Sequence, residues 1–417
     1  MNQNDRSISL FVMVSHAVVH TYELSIPILM VIWLSEFGLS TTVLGAGVAV
    51  GYGLFGLGSL PSGILVDRFG SRDLVMVGLG GMGVSFVVLS MARGIVTIVI
   101  ALALWGIAAS IHHPAALALI STGVEEQGTG FAYHGMAGNF GIAFGPLLTA
   151  ILLLVFDWRL VTVLLAVPAG VAILYAFSAS FDQTAAVDSA DIDPDDGGPA
   201  SFAEFVASSR SLFTLGFLLA MFIVMMNGLF YRGTLTFLPD VLTGLLPPVV
   251  EQYSLFEPGS TLAEEFKPAS YLYAGLLTVG MAGQYVGGKL TDRIPTEIGL
   301  TVIFAVLAII AVSFVPVAAA GIWALIAISA TFGFFLFALQ PMYQATIAIY
   351  SPPGGRGLSY GYTYLASFGI GALGAAIAGS LLSAFSVHRT FVLIGVFPVI
   401  GAALGLMLYR SGDQLVN

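Results

Sequence analysis

The sequence predicts an all-α membrane protein with twelve transmembrane helices in two pseudo-symmetric six-helix bundles, and three observations carry this. Of 417 residues, 58% are hydrophobic and only 9% charged, whereas a soluble domain carries about 25% charged residues. The apolar residues run in long blocks, such as 95–111 and 300–328, and about 20 of them suffice to cross the ~30 Å hydrocarbon layer as a helix. Short motifs also recur between the two halves of the chain. Lipid offers no partner to a backbone amide, so each span must satisfy its own amides as a helix. The ~10-residue alternation of barrel strands is absent.

Apolar blocks between polar breaks place spans near 8–35, 41–66, 73–92, 94–121, 127–156 and 158–181, then near 208–242, 269–290, 297–318, 320–350, 357–385 and 389–410. The polar start, residues 1–9, runs straight into the first span without a small-residue cleavage site, so that span reads as an anchor rather than a signal peptide. Between the sets, residues 182–204 hold six aspartates and no basic residue, the composition of a disordered linker. The domains are therefore a first bundle over 1–181, an acidic cytoplasmic linker over 182–207 and a second bundle over 208–417. A second polar insert, 245–268, separates spans seven and eight.

Arginine and lysine collect in cytoplasmic loops. With both termini inside, Arg6, Arg68, Arg72, Arg210, Lys289, Arg293, Arg356 and Arg410 face inward, against Arg93, Arg159, Lys267 and Arg389 outside. The reading is a multi-pass plasma-membrane protein with both termini cytoplasmic, monomeric and surrounded by lipid bilayer. The net charge of −10 and the two lysines against eleven arginines suit a surface solvated in high salt and point to a halophilic source. Nothing in this charge pattern calls for nucleic acid. The chain has no cysteine, which excludes disulfides and thiolate chemistry. No metal-ligand set, cofactor motif or activated nucleophile emerges, so an enzyme is disfavoured. Gly283-x-x-x-x-Gly288-Lys289 has the outline of a P-loop, but Leu290 stands where Ser or Thr must ligate magnesium, and the run ends an apolar span. No ATP-driven pump is expected.

The internal repeat has an offset of about 226 residues. Gly63-x-x-x-Asp67-Arg68 recurs as Gly288-x-x-x-Asp292-Arg293, His113-Pro114 as Gln340-Pro341, and Phe140-Gly141-Ile142 as Phe368-Gly369-Ile370. Tyr22-Glu23 corresponds to Tyr231-Arg232 once the insert is allowed for. Together these make a parallel 6+6 duplication, with a site expected between the halves near mid-membrane.

Gly63-Ile-Leu-Val-Asp67-Arg68-Phe-Gly70-Ser-Arg72 occupies the short turn between spans two and three. This resembles the signature loop of the major facilitator superfamily, G-x-L-x-D-R-x-G-x-R. The resemblance implies that superfamily's fold, a secondary transporter working by alternating access, and a gating role for Gly63, Asp67, Arg68, Gly70 and Arg72. Asp292 and Arg293 hold the second copy, where Ile294-Pro295 departs from the pattern. In span five, Gly138-Asn139-x-Gly141-x-x-x-Gly145-Pro146 resembles the superfamily's exporter element G-x-x-x-G-P, and its small residues allow close helix packing. Ser15-His16 with Pro27, His113-Pro114, Gly128 and the span-five element together resemble the fosmidomycin-resistance branch of drug exporters. The chain departs from that branch at His20, where an Asp is usual, and at Ala115, where an acid is usual.

Ionisable side chains inside a membrane are costly and are functional candidates by default. Here they are His16, His20 and Glu23 in span one, His112 and His113 in span four, His134 in span five and Arg232 in span seven. His16, His20 and Glu23 share one helix face, and histidine titrates near neutral pH. These six acid–base groups of the first half are the proton-coupling candidates, and Glu23 and Arg232 are expected to pair and gate the outer side. Tyr22, Asn139, Tyr231, Arg232, Gln340, Tyr343 and Tyr362 are the expected polar groups of the substrate cavity. The resulting function is efflux of a small organic molecule coupled to a cation, a proton rather than sodium. The alternatives are an uptake symporter for an organic anion or sugar, and a non-transporting membrane sensor built on the same fold.

Overall fold

The computed structural model describes residues 1–186, 202–246, 266–291, 293–350 and 356–415. Within these it leaves out the side chains of Gly63, Ile64, Asp67, Arg68, Ser121, Gln127, Gly128, Ala132, Phe202, Ala203, Ala348, Arg356, Gly357, Tyr360 and 412–415. The first half holds α1 (Gln3–Glu36), α2 (Thr41–Phe69), α3 (Ser71–Ser90), α4 (Ile95–Gly123), α5 (Gln127–Leu152) and α6 (Trp158–Ser178). In the second half lie α7 (Phe202–Leu212), α8 (Leu215–Leu235), α9 (Leu238–Leu245), α10 (Pro268–Thr291), α11 (Thr296–Ala318) and α12 (Ile322–Ile349). They are followed by α13 (Arg356–Tyr364), a π-helical turn (Leu365–Ile370), α14 (Leu373–Ala384), α15 (Val387–Ile394) and α16 (Val396–Leu415). Among the described residues, 11 helical segments are long and apolar enough to cross a membrane. The twelfth span is α10, of 24 residues, whose Gln284 and Lys289 lower its hydropathy.

Polar residues punctuate the helices as capping physics requires. The side chains of Asn2, Ser40, Asp157 and Thr214 each accept a first-turn amide of α1, α2, α6 and α8. Gly70 joins α2 to α3 at φ 82°, a left-handed conformation that glycine adopts without steric cost. Outward-facing residues such as Leu174 and Phe177 (both 70% exposed) and Trp323 (80%) form an apolar belt suited to lipid tails rather than water.

The two halves repeat one packing scheme. In the first, α2 packs on α4, α3 on α4 and α6, and α1 on α5; in the second, α10 packs on α12, α11 on α12 and α16, and α8 on α14. The halves meet along α2 and the π–α14 segment, and along α5 and α10. Between apolar helices in lipid, association relies on close packing rather than on the hydrophobic effect. Gly56 of α2 lies so close to Gly369 that a Cβ would run into the Gly369 backbone. At the end carrying the start of α2, Thr41 Oγ1 donates to the Gly379 carbonyl (2.9 Å) and lies 2.8 Å from Ser383 Oγ.

Three sequence expectations need correction. The seventh span, placed at 208–242, is divided into α7, α8 and α9: Thr214 caps a new start, and Pro239 sits at the beginning of α9, where its missing N–H costs nothing. The stretch from 182 is not free where it begins. The Asp182 carbonyl accepts from Asn4 (3.0 Å), the Gln183 carbonyl from Thr122 (2.7 Å), and Gln183 Oε1 from the Arg72 amide (3.0 Å). Spans eleven and twelve are also broken, the former by the π turn and the latter at Gly395.

Candidate functional site

A small, partly open cavity lies between the halves, with His20, Glu23 and Ile142 on one wall and Asn227, Tyr231, Arg232, Gln340, Tyr343, Ser367 and Phe368 among those opposite. In its wall the Arg232 guanidinium of α8 donates to Glu23 Oε1 of α1. Both side chains are almost wholly buried, at 3% and 2% exposure. A buried charge is tolerated only when paired and hydrogen-bonded. Glu23 therefore anchors Arg232, whose guanidinium carbon also lies 3.9 Å from the centre of the Tyr52 ring and 5.1 Å from that of Phe368. Such stacking over aromatic faces further stabilises the cation.

The second Glu23 oxygen leads into a line of histidines along one face of α1. His20 Nδ1 is 2.6 Å from Glu23 Oε2, His20 Nε2 is 3.0 Å from His16 Nε2, and His16 Nδ1 is 2.7 Å from the His134 carbonyl. The 3.6-residue period of α1 sets this spacing. The small-residue stripe of α5 lets it approach: Gly138 lies against the His16 ring, Gly141 against Ala17 and Gly145 against Thr21, each with no room for a Cβ. Pro146 follows in the same helix. His16 stacks on His134 with ring centres 3.8 Å apart, and His112 and His113 of α4 complete a five-ring cluster, 5.5 and 5.1 Å from His16.

Of the polar groups expected in the cavity, Tyr231, Arg232, Gln340 and Tyr343 line it. Tyr22 does not: it packs inside the first half with its ring 4.2 Å from that of Phe86. Tyr362 turns the other way, donating to Ser209 Oγ (2.9 Å) beneath α7. Asn139 is half-buried on α5 and is not among the lining residues. The sequence reading missed Tyr52, Asn227, Ser367 and Phe368. Asn227 Oδ1 is buried with no partner, leaving an acceptor for a bound molecule. Gln284 Nε2 donates to Gln340 Oε1 (2.6 Å) and orients it.

In the signature loop, the Arg72 guanidinium donates to the Ala176 carbonyl and to that of Ala179 (3.1 Å), closing the end of α6. It also packs over the Phe181 ring at 4.9 Å. Cations favour the negative end of a helix dipole, so Arg72 ties the α2–α3 turn to α6. The side chains of Gly63, Asp67 and Arg68, and the whole of Asp292, lie outside the described residues, while Arg293 is exposed.

A family model described as "Major Facilitator Superfamily" matches residues 12–374. The Probable L-galactonate transporter of Escherichia coli (strain K12) is 28% identical over 126 residues, 30% of this chain and 28% of that protein. The Puromycin resistance protein pur8 of Streptomyces alboniger is 36% identical over 103 residues, 24% of this chain and 20% of that one. The matched stretch thus spans less than a third of these curated relatives. Among solved structures, a bacterial homolog to the human lysosomal transporter Spinster, inward-facing and unoccupied, aligns with TM-score 0.77 at 15% identity, over 99% of this chain and 98% of that one. The nucleoside transporter NupG aligns with TM-score 0.74 at 12% identity, over 96% and 100%. At such identities the structural likeness carries the fold, and the family match carries the membership. The chain belongs to the Major Facilitator Superfamily.

Proposed function

We propose that the chain is a secondary active transporter that works by alternating access and couples efflux of a small organic molecule to the counterflow of a cation, a proton in the first instance. The observation that carries this reading is the buried Glu23–Arg232 pair, which joins the two halves in the wall of a polar cavity between them. A charge pair across two rocking bodies is a two-state element. A cation arriving at Glu23 weakens its hold on Arg232, and the freed guanidinium and the halves can then part. His16, His20, His112, His113 and His134 lie behind Glu23 as the polar path on which that cation is expected. Arg232, Tyr231, Asn227, Gln340 and Tyr343 are the groups proposed to receive the substrate.

The charge distribution of the loops supports both termini on the cytoplasmic side of the plasma membrane. In that orientation the contacts of Thr41 with Gly379 and Ser383 lie outside and close the outer entrance, and the signature loop lies inside. Arg72 and Gly70, with Asp67, Arg68 and Gly63, then act at the inner gate. The glycine–proline element of α5 favours export, and the local resemblance to the fosmidomycin-resistance branch favours a drug-like cargo. An organic anion carried inward is a second reading, favoured by the guanidinium in the cavity wall. A deletion strain screened against drugs and metabolites would give a substrate, and vesicles loaded with it under an imposed pH gradient would test coupling. Transport of a confirmed substrate that ignores the gradient, and survives both Glu23→Gln and Arg232→Gln, would sink the proposal.

A further inference from the structure

Five of the six histidines of the chain meet in one buried cluster fed by α1, α4 and α5. The partners of two rings fix their tautomers. His20 Nδ1 faces a Glu23 carboxylate oxygen at 2.6 Å, and His16 Nδ1 faces the His134 carbonyl at 2.7 Å. A carboxylate and a carbonyl only accept, so each Nδ1 carries the proton. A neutral imidazole has a single N–H, which leaves both Nε2 atoms as bare lone pairs 3.0 Å apart. Two lone pairs at that distance repel until a positive centre sits between or beside them.

The surrounding rings have the same deficit. One ring nitrogen each of His16, His20 and His113 lie within 4.8 Å of one another, and a second such set, His16, His112 and His134, shares His16. His113 Nδ1, His134 Nδ1 and both nitrogens of His112 are buried with no partner. An unpaired buried polar atom is costly, and this cluster holds four of them. Histidines that bind metal present one bare nitrogen and give the other N–H to a carboxylate or carbonyl. His20 and His16 do this through Glu23 and the His134 carbonyl.

We propose that this cluster is a site for a first-row transition-metal dication of the Zn²⁺, Co²⁺ and Ni²⁺ class, with His16 Nε2, His20 Nε2 and a ring nitrogen of His113 as ligands. Imidazole bonds such ions at about 2.0–2.1 Å, a length compatible with two nitrogens 3.0 Å apart. The ligand set has nitrogen only, which disfavours Mg²⁺ and Ca²⁺, cations that prefer oxygen. His20 lines the cavity, so an ion reaches the site from there. The site stands on ring nitrogens alone and does not depend on which molecule the protein carries.

The test uses the full-length chain purified in detergent, with Co²⁺ as a coloured probe and Zn²⁺ as competitor. One Co²⁺ per chain is expected, with the strong visible absorption of a low-coordinate nitrogen site, displaced by Zn²⁺ and untouched by excess Mg²⁺. His16→Gln and His20→Gln should abolish the absorption, and His388→Gln, which alters the one histidine outside the cluster, should leave it unchanged. Glu23→Gln, which alters an orienting partner, should weaken binding about tenfold or more. No saturable Co²⁺ absorption in the unmodified chain overturns the proposal and leaves an excess proton shared between His16 and His20 as the explanation of their approach. Absorption that survives both His16→Gln and His20→Gln overturns it equally.

Discussion

Arg232, on α8 of the second half, donates to the carboxylate of Glu23, on α1 of the first, where neither side chain is more than 3% exposed. Removing one partner of such a pair strands the other charge, at a cost of about 3–5 kcal/mol. Glu23→Gln and Arg232→Gln should each lower the unfolding temperature of the detergent-purified protein and abolish coupled transport. The double variant should be more stable than either single one, because it strands no charge. Thermal unfolding of the three variants checks this; additive losses would mean that the two residues do not interact.

Gly56 admits the Gly369 backbone where α2 crosses the π turn. Gly56→Ala should wedge the halves apart there and cost about 1–3 kcal/mol, as overpacking does elsewhere. Labelling of single introduced cysteines in the cavity wall, in a chain with no native cysteine, should rise in this variant. Unchanged labelling and stability would show that the contact is slack.

Thr41 Oγ1 and Ser383 Oγ are 2.8 Å apart across the halves. Cysteines at both positions would bring their sulfurs close to one another, where a small adjustment reaches the S–S bond length of about 2 Å. Oxidation should cross-link the Thr41→Cys/Ser383→Cys pair and stop transport, and reduction should restore it. Full transport by the fully cross-linked protein would mean that this end of the molecule never opens.

Arg72 bridges the α2–α3 turn to the last carbonyls of α6. Hydrogen bonds from a charged donor contribute about 1.5–3 kcal/mol. Arg72→Ala should lose that stability and slow transport, while Arg72→Lys, with a single ammonium in place of the planar fork, should recover part of each. Initial rates in vesicles, set beside unfolding temperatures, separate gating from stability: a rate loss with unchanged stability assigns Arg72 to the moving gate.

The spans and the twofold repeat were legible because lipid imposes long apolar runs and because the second half keeps the first half's motifs in register. Glu23 and Arg232 stood out as ionisable groups inside such runs, at matching places in the repeat. Tyr22 was misplaced for a geometric reason. One residue along a helix turns about 100°, so Tyr22 faces Phe86 while Glu23 faces the cavity. Tyr52 and Phe368 were invisible because an aromatic ring in an apolar helix gives no sign of whether it meets lipid, core or a guanidinium. The histidine cluster could not be assembled from spacing, since its members come from three helices and only the fold brings His112, His113 and His134 onto His16. Tyr362 was assigned to the cavity as a polar aromatic in an apolar span, and its partner Ser209 sits on α7, a short helix that the sequence reading split between the linker and the seventh span.

The wide turn at Leu365–Ile370, where the Gly371 amide reaches back to the Ala366 carbonyl, sets two helical phases in one span. Above it, α14 is indexed to Leu229 and Thr41, whose carbonyls fill the spaces beside Gly374 and Gly379; below it, Tyr362 of α13 is indexed to Ser209 of α7. The turn absorbs the mismatch between them as a dislocation does in a crystal. Regularising it to uniform α pitch with every residue kept would swing α14 by about 100°, carrying Gly374 and Gly379 off their seats. A span with such a fault can slip at one end while the other stays seated, which a continuous rod cannot do.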